Sequence, residues 1–169
     1  MTEISLAALW AGFAYHDLAN GGIVARVTSS DEDSLHHQEH CMTIRSPAET
    51  VAVYLEQLYN QGQVEMAGEL VADPTWRHQD GTLTALSLAD TIERLKHNFT
   101  RWPTMRFDTN QLLVDGDKVA VAWNGFCTKP DGGVLEMYGI EIFRVQDGKI
   151  VEIWNSKEWP GLWQASPLD

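Results

Sequence analysis

Two strand-like runs around an Asp-Gly turn, "MYGIEIFRV" and "KIVEIWNSK", carry a carboxylate, Glu141, and an amide, Asn155, among apolar neighbours. Both groups are costly to bury. A carboxyl in such surroundings has its charged form disfavoured, which moves its pKa toward the range where it can give and take protons. The alternative is a Glu141 satisfied by an arginine or a helix residue, serving structure alone. A second pair lies in "WRHQDGT", where His78 and Asp80 are two apart and so share one face of an extended segment. A histidine beside a carboxylate is a general acid or base; its bland counterpart is a solvated turn in which Asp80 supports the bend at Gly81. Tyr54 and Tyr59, on opposite sides of a helix, add phenols of the kind that bind a developing enolate oxygen, with core packing as the competing use. The run "HHQEHC" sets His36 four residues from His40 and His37 four from Cys41. A zinc site needs three or four converging ligands, and with no second cluster in the chain the expectation is a solvated segment or lid helix and no metal.

The elements that must position these groups are legible in the pattern. From Ser46, "SPAETVAVYLEQLYNQG" reads as a helix with Ser46 as N-cap, Pro47 at the first helical position, Glu49 three residues after the cap and Gly62 as the stop. Val51, Tyr54, Leu55 and Leu58 form its apolar face. "QVEMAGELVA" predicts a shorter second helix ended by "DP", then comes the brief extended "TWRHQDGT". "SLADTIERLKHNFTRW" is a third helix, capped by Ser87, with Leu88, Ile92, Leu95 and Phe99 on one face. After Pro103 the chain reads as four strands joined by "DGD", "KPDGG" and "QDGK". Helices first and a meander afterwards predict an α+β domain with a curved antiparallel sheet over residues 46–169, preceded by an extension, residues 1–45, that packs on the domain or on a partner.

Composition narrows the function classes. With 169 residues and a formal net charge of −12, the chain is long enough for one core and too acidic to favour nucleic acid or an anionic membrane surface. Glu3 stands where a signal peptide carries Lys or Arg, and no apolar run approaches the roughly 20 residues of a membrane span. Cys41 and Cys127 have no metal-ligand spacing. The expectation is a cytoplasmic protein with reduced thiols.

The order of elements, with "SPAETVAVYLEQLYNQGQ", "HQDGT", "RWPTMRF", "VDGDKVAVAWNGF" and "GIEIFRVQDGKIVEIWNS", resembles the SnoaL-like branch of the nuclear transport factor 2-like superfamily over about residues 46 to 159. The resemblance implies a cone: three helices in the concave face of a strongly bent sheet, enclosing a deep apolar cavity. It also implies that Phe143 packs inward, which puts Glu141 on the concave face, where Asn155 meets it from the last strand together with Val151 and Ile153. Family members place an aspartate on that last strand as acid/base group; the matching position here is Asn155, and an amide does not exchange a proton at neutral pH. Glu141 would then move the proton, or His78 supported by Asp80, while Asn155 and one of Tyr54 and Tyr59 orient substrate or stabilise an oxyanion. Phe143 and Trp123 are further candidates for substrate contact, Trp123 lining either the cavity or the outer sheet. The implied function is cofactor-independent acid/base chemistry on a lipophilic oxygenated small molecule, such as cyclisation, isomerisation, dehydration or epoxide opening in secondary metabolism. The alternative is a non-catalytic binding or dimeric interaction module. The outer sheet face, with Tyr138, Glu152 and Trp154, would form a homodimer.

Overall fold

The structure, a computed structural model, describes residues 44–167. The chain divides into Met1–His40 and Cys41–Asp169, and the fold is that of the second unit; the run containing His36, His37, His40 and Cys41 lies outside the described residues.

Helix α1, Pro47–Val53, starts as its sequence dictates: the Ser46 hydroxyl accepts from the Glu49 N–H, and the Glu49 carboxylate accepts from the Ser46 N–H at 2.8 Å. From Tyr54 to Asn60 it continues with π-helical winding. A single 3₁₀ turn, Val64–Met66, and a one-turn helix α2, Ala67–Leu70, follow. The second helix is therefore shorter than its sequence predicts. The chain is already extended at Val71, where β1 (Val71–Gln79) begins and pairs with the last long strand. Strand β2 (Thr82–Leu86) folds back on β1 through a turn in which Asp80 and Gly81 both have positive φ. Helix α3, Leu88–Arg101, has the predicted Ser87 cap, completed by Asp90.

Strands β3 (Thr104–Asp115), β4 (Lys118–Thr128), β5 (Val134–Gln146) and β6 (Lys149–Asn155) form the meander, and the short β7 (Trp159–Pro160) returns to β5 at Met137 and Tyr138. The sheet order is β2-β1-β6-β5-β4-β3. It is an open, curved sheet with one feature the sequence did not reveal: β1 lies parallel to β6, so a sheet expected to be antiparallel is mixed. A bulge in β6 opposite Arg144 and Val145 also resets that strand's parity, so that Ile150 and Ile153, and not Val151, reach the core. The concave side is filled by Val51, Leu55 and Leu58 from the first helix, packed with Val119, Val121, Phe143 and Ile153 from the sheet. No helix among the described residues is long and apolar enough to cross a membrane.

At the deep end of the sheet, Trp123 and Gly139 are paired across β4 and β5. A Cβ at Gly139 would lie 2.6 Å from the Trp123 ring, whose other edge meets Phe107 at a centroid distance of 5.0 Å. The missing side chain is what lets the indole lie across β5. Gly139→Ala is expected to cost about 1–3 kcal/mol, the usual penalty of overpacking, and to change tryptophan emission; urea unfolding that matches wild type would mean the ring can move aside.

Candidate active site

Strand parity decides what faces inward. On β5 the inward residues are Met137, Gly139, Glu141 and Phe143, on β4 Val121 and Trp123, and Glu141 is registered opposite Val121 on one side and Asn155 on the other. With α3 and the short β7 these strands line a half-open cavity of about 410 Å³. One wall is apolar, from Leu55, Met105, Phe107, Trp123 and Met137. The other is polar, and more so than the family resemblance implied: Arg77, Gln79, Arg94, Asn98, Glu141 and Asn155.

Glu141 and Asn155 meet inside the cavity. The Asn155 amide nitrogen donates to Glu141 Oε1, while Asn155 Oδ1 is buried without a hydrogen-bond partner among the described residues. The carboxyl pKa is raised above its ordinary value, chiefly because burial disfavours the charge; Arg77 and Arg94 pull it back down and Glu158 adds to the rise. Among the described residues Glu141 has no ion pair with an arginine, and its hydrogen-bond partner is Asn155 on the neighbouring strand.

The π-helical stretch brings the two tyrosines together. Hydrogen bonds that close every five residues place Tyr54 and Tyr59 on the same side, which corrects the expectation of opposite sides. Their hydroxyls lie 3.2 Å apart, and Arg94 Nη2 donates to the Tyr59 hydroxyl at 3.0 Å. A hydroxyl has one proton and two acceptor positions. Either hydroxyl can donate in the Tyr54–Tyr59 bond; in the arrangement where Tyr54 donates, as Arg94 does, Tyr59 keeps its own proton for a group in the cavity it lines. Tyr54 is buried behind it, its ring against Phe143, and burial pushes its phenol well above the ordinary value. Phe143 is thus core beneath the helix and not cavity wall, whereas Trp123 lines the cavity.

His78 and Asp80 do not belong to this constellation. His78 Nε2 pairs with Glu152 at 2.7 Å and its ring stacks on Trp154 on the outer face of the sheet. Asp80 is a residue of the β1–β2 turn. The inward residues of β1 are instead Thr75, Arg77 and Gln79.

Sequence reasoning passed over Arg77, and also Arg94, Asn98 and Arg101, although the last three are spaced by four and three on α3 and so share a helix face. Cys127 lines the cavity too, its thiol pushed up to about 11 by burial, which leaves it a poor nucleophile. Among the described residues no group of three or more His, Cys, Asp or Glu is placed to hold a metal.

The family model described as SnoaL-like polyketide cyclase matches residues 49–159. Solved structures with the same fold include a proposed polyketide cyclase from Acidithiobacillus ferrooxidans, 23% identical with a TM-score of 0.60 over 68% of this chain and 90% of that one. A SnoaL-like polyketide cyclase from Agrobacterium tumefaciens is 19% identical with a TM-score of 0.58, covering 66% of this chain and 91% of that one. An epoxide hydrolase from M. tuberculosis is 14% identical with a TM-score of 0.57, covering 64% and 80%. No match was found among curated proteins.

Proposed function

We propose that this chain, which belongs to the SnoaL-like polyketide cyclase family, is a cytoplasmic, cofactor-independent enzyme that abstracts a proton next to a carbonyl of a lipophilic oxygenated small molecule. The observation that carries the reading is the Glu141 carboxyl in the cavity, bonded to Asn155 and without an ion-pair partner among the described residues, its pKa raised by burial. In this scheme Glu141 takes the proton. Asn155 fixes the carboxylate's orientation through its amide N–H, and the resulting enolate oxygen accepts a hydrogen bond from the Tyr59 hydroxyl in the arrangement where Tyr54 donates to Tyr59 and Arg94 holds it in place. The apolar wall of Phe107, Trp123 and Met137 receives the hydrocarbon part of the substrate. The enolate then attacks within the same molecule and closes a ring, or is reprotonated at another carbon. Asn155 in place of the family's usual aspartate moves the acid/base role one strand over, to Glu141.

The test is α-proton exchange in deuterated water. Wild-type protein should accelerate exchange of a lipophilic cyclic ketone such as 2-tetralone or a cyclic 1,3-diketone, read by proton NMR. Binding of these ketones without accelerated exchange would favour the second reading, a binding module of the same fold, for which the replacement of the family's aspartate by Asn155 speaks.

The proposal extends to assembly. On the outer face Ile140 and Ile142 lie mid-strand with 44% and 39% of their surface exposed, flanked by Trp154 and the pair of His78 with Glu152. A symmetric homodimer would cover them. Ile142→Arg is expected to shift the protein toward monomer in sedimentation; a wild type that is monomeric at micromolar concentration would contradict this.

A further inference from the structure

The chain is acidic, with 12 Lys and Arg against 24 Asp and Glu, yet three of its arginines, Arg77, Arg94 and Arg101, line one cavity. Arg101 is the exposed one, its guanidinium over the Trp102 ring at 5.1 Å. Arg94 spends one nitrogen on Tyr59 and keeps a buried Nε with no partner among the described residues. Arg77 is the most telling. Only 6% of its surface is accessible, and among the described residues its side chain makes neither a hydrogen bond nor an ion pair. A guanidinium has five N–H donors, cannot shed its charge, and is costly to bury unpaired. Glu141 is close enough to feel its charge but does not form an ion pair with it.

From this geometry we infer that the cavity takes an anionic small molecule whose carboxylate is gripped by Arg77, with Arg94 and Arg101 adding positive charge around it. The inference deepens the function proposed above and rests on it for the identity of the site. The substrate class is then an oxygenated, largely apolar free acid, not its neutral ester. Arg77 sits on β1, beside β6, with Ile153 as its registered neighbour two residues before Asn155. A carboxylate held there lies toward the β1–β6 side of the cavity, leaving the apolar Phe107–Trp123 wall for the rest of the molecule. A planar carboxylate matches the guanidinium fork with two parallel hydrogen bonds. The negative net charge of the whole chain works against an anion's approach, so the local arginines must supply the attraction.

The probes are 2-naphthoate and methyl 2-naphthoate, and binding is followed at neutral pH by quenching of the cavity tryptophans. Wild type should bind the acid about 10- to 100-fold more tightly than the ester, as a hydrogen-bonded charge pair out of water provides. Arg77→Gln should erase that preference, and Arg77→Lys should keep part of it. Equal affinities in wild type, no binding of the acid at millimolar concentration, or a preference that survives Arg77→Gln would each overturn the inference. The comparison within wild type needs no variant to fold. A protein that prefers the acid but does not exchange α-protons would keep the subsite and lose the acid/base reading; one that exchanges α-protons without preferring the acid would do the reverse.

Discussion

Glu141→Gln should lower the rate of α-proton exchange by about 10²- to 10⁴-fold, the usual contribution of a positioned acid or base, while leaving the fold intact. The substitution keeps volume and hydrogen-bonding shape, and Asn155 can still bond the new amide. What it removes is a cavity carboxyl whose pKa burial raises above the ordinary value. As a base the carboxyl must be ionised, so the wild-type rate should rise with pH through a midpoint above 4.5, the ordinary value for a glutamate, and that limb should vanish in the variant. Full activity in Glu141→Gln would remove Glu141 as the catalyst.

Tyr59→Phe should cost about 10²- to 10³-fold in the same assay, as loss of one oxyanion donor does. It should also lower stability by about 1–3 kcal/mol, because Arg94 Nη2 and the Tyr54 hydroxyl would be left buried without their partner. The two readouts separate the roles: a purely structural Tyr59 would lose stability without a matching loss of rate in the fraction still folded. Tyr54→Phe is the useful control, since Tyr54 bonds Tyr59 from behind and does not line the cavity.

Glu141 and Asn155 were legible as a pair because each end of the argument had an anchor. Phe143 fixes the parity of β5, two residues before it is Glu141, and the Asp-Gly turn sets the register with β6. The same parity argument failed for Val151, where a bulge inserts a residue that no composition signal marks. It failed more seriously on β1. There the large aromatic Trp76 faces out with 45% of its surface exposed, while Arg77 and Gln79 face in. An inward face that is polar because it lines a cavity inverts the usual rule that apolar residues mark the buried side, and so nothing marked Arg77; His78 was chosen for its spacing to Asp80, on a face it shares with the outward Trp76. The parallel pairing of β1 with β6 is equally hidden, since it joins segments more than seventy residues apart. Tyr54 and Tyr59 depend on local winding: with α-helical spacing they diverge, and the π-helical turn that unites them has no sequence signature comparable to a cap or a proline. The helix starts at Ser46 and Ser87 were read correctly because a capping box is a local exchange of hydrogen bonds that needs no tertiary context.

The most direct measurement is a pH titration of the Glu141 side-chain carboxyl carbon by ¹³C NMR in the full chain, assigned by its disappearance in Glu141→Gln. A carboxyl buried in the cavity without an ion-pair partner should titrate above 4.5, and higher still in Arg77→Gln, because Arg77 is the largest influence holding it down. A midpoint at or below 4.5, unmoved by loss of Arg77, would place Glu141 in solvent or in a salt bridge and contradict its role as the acid/base group.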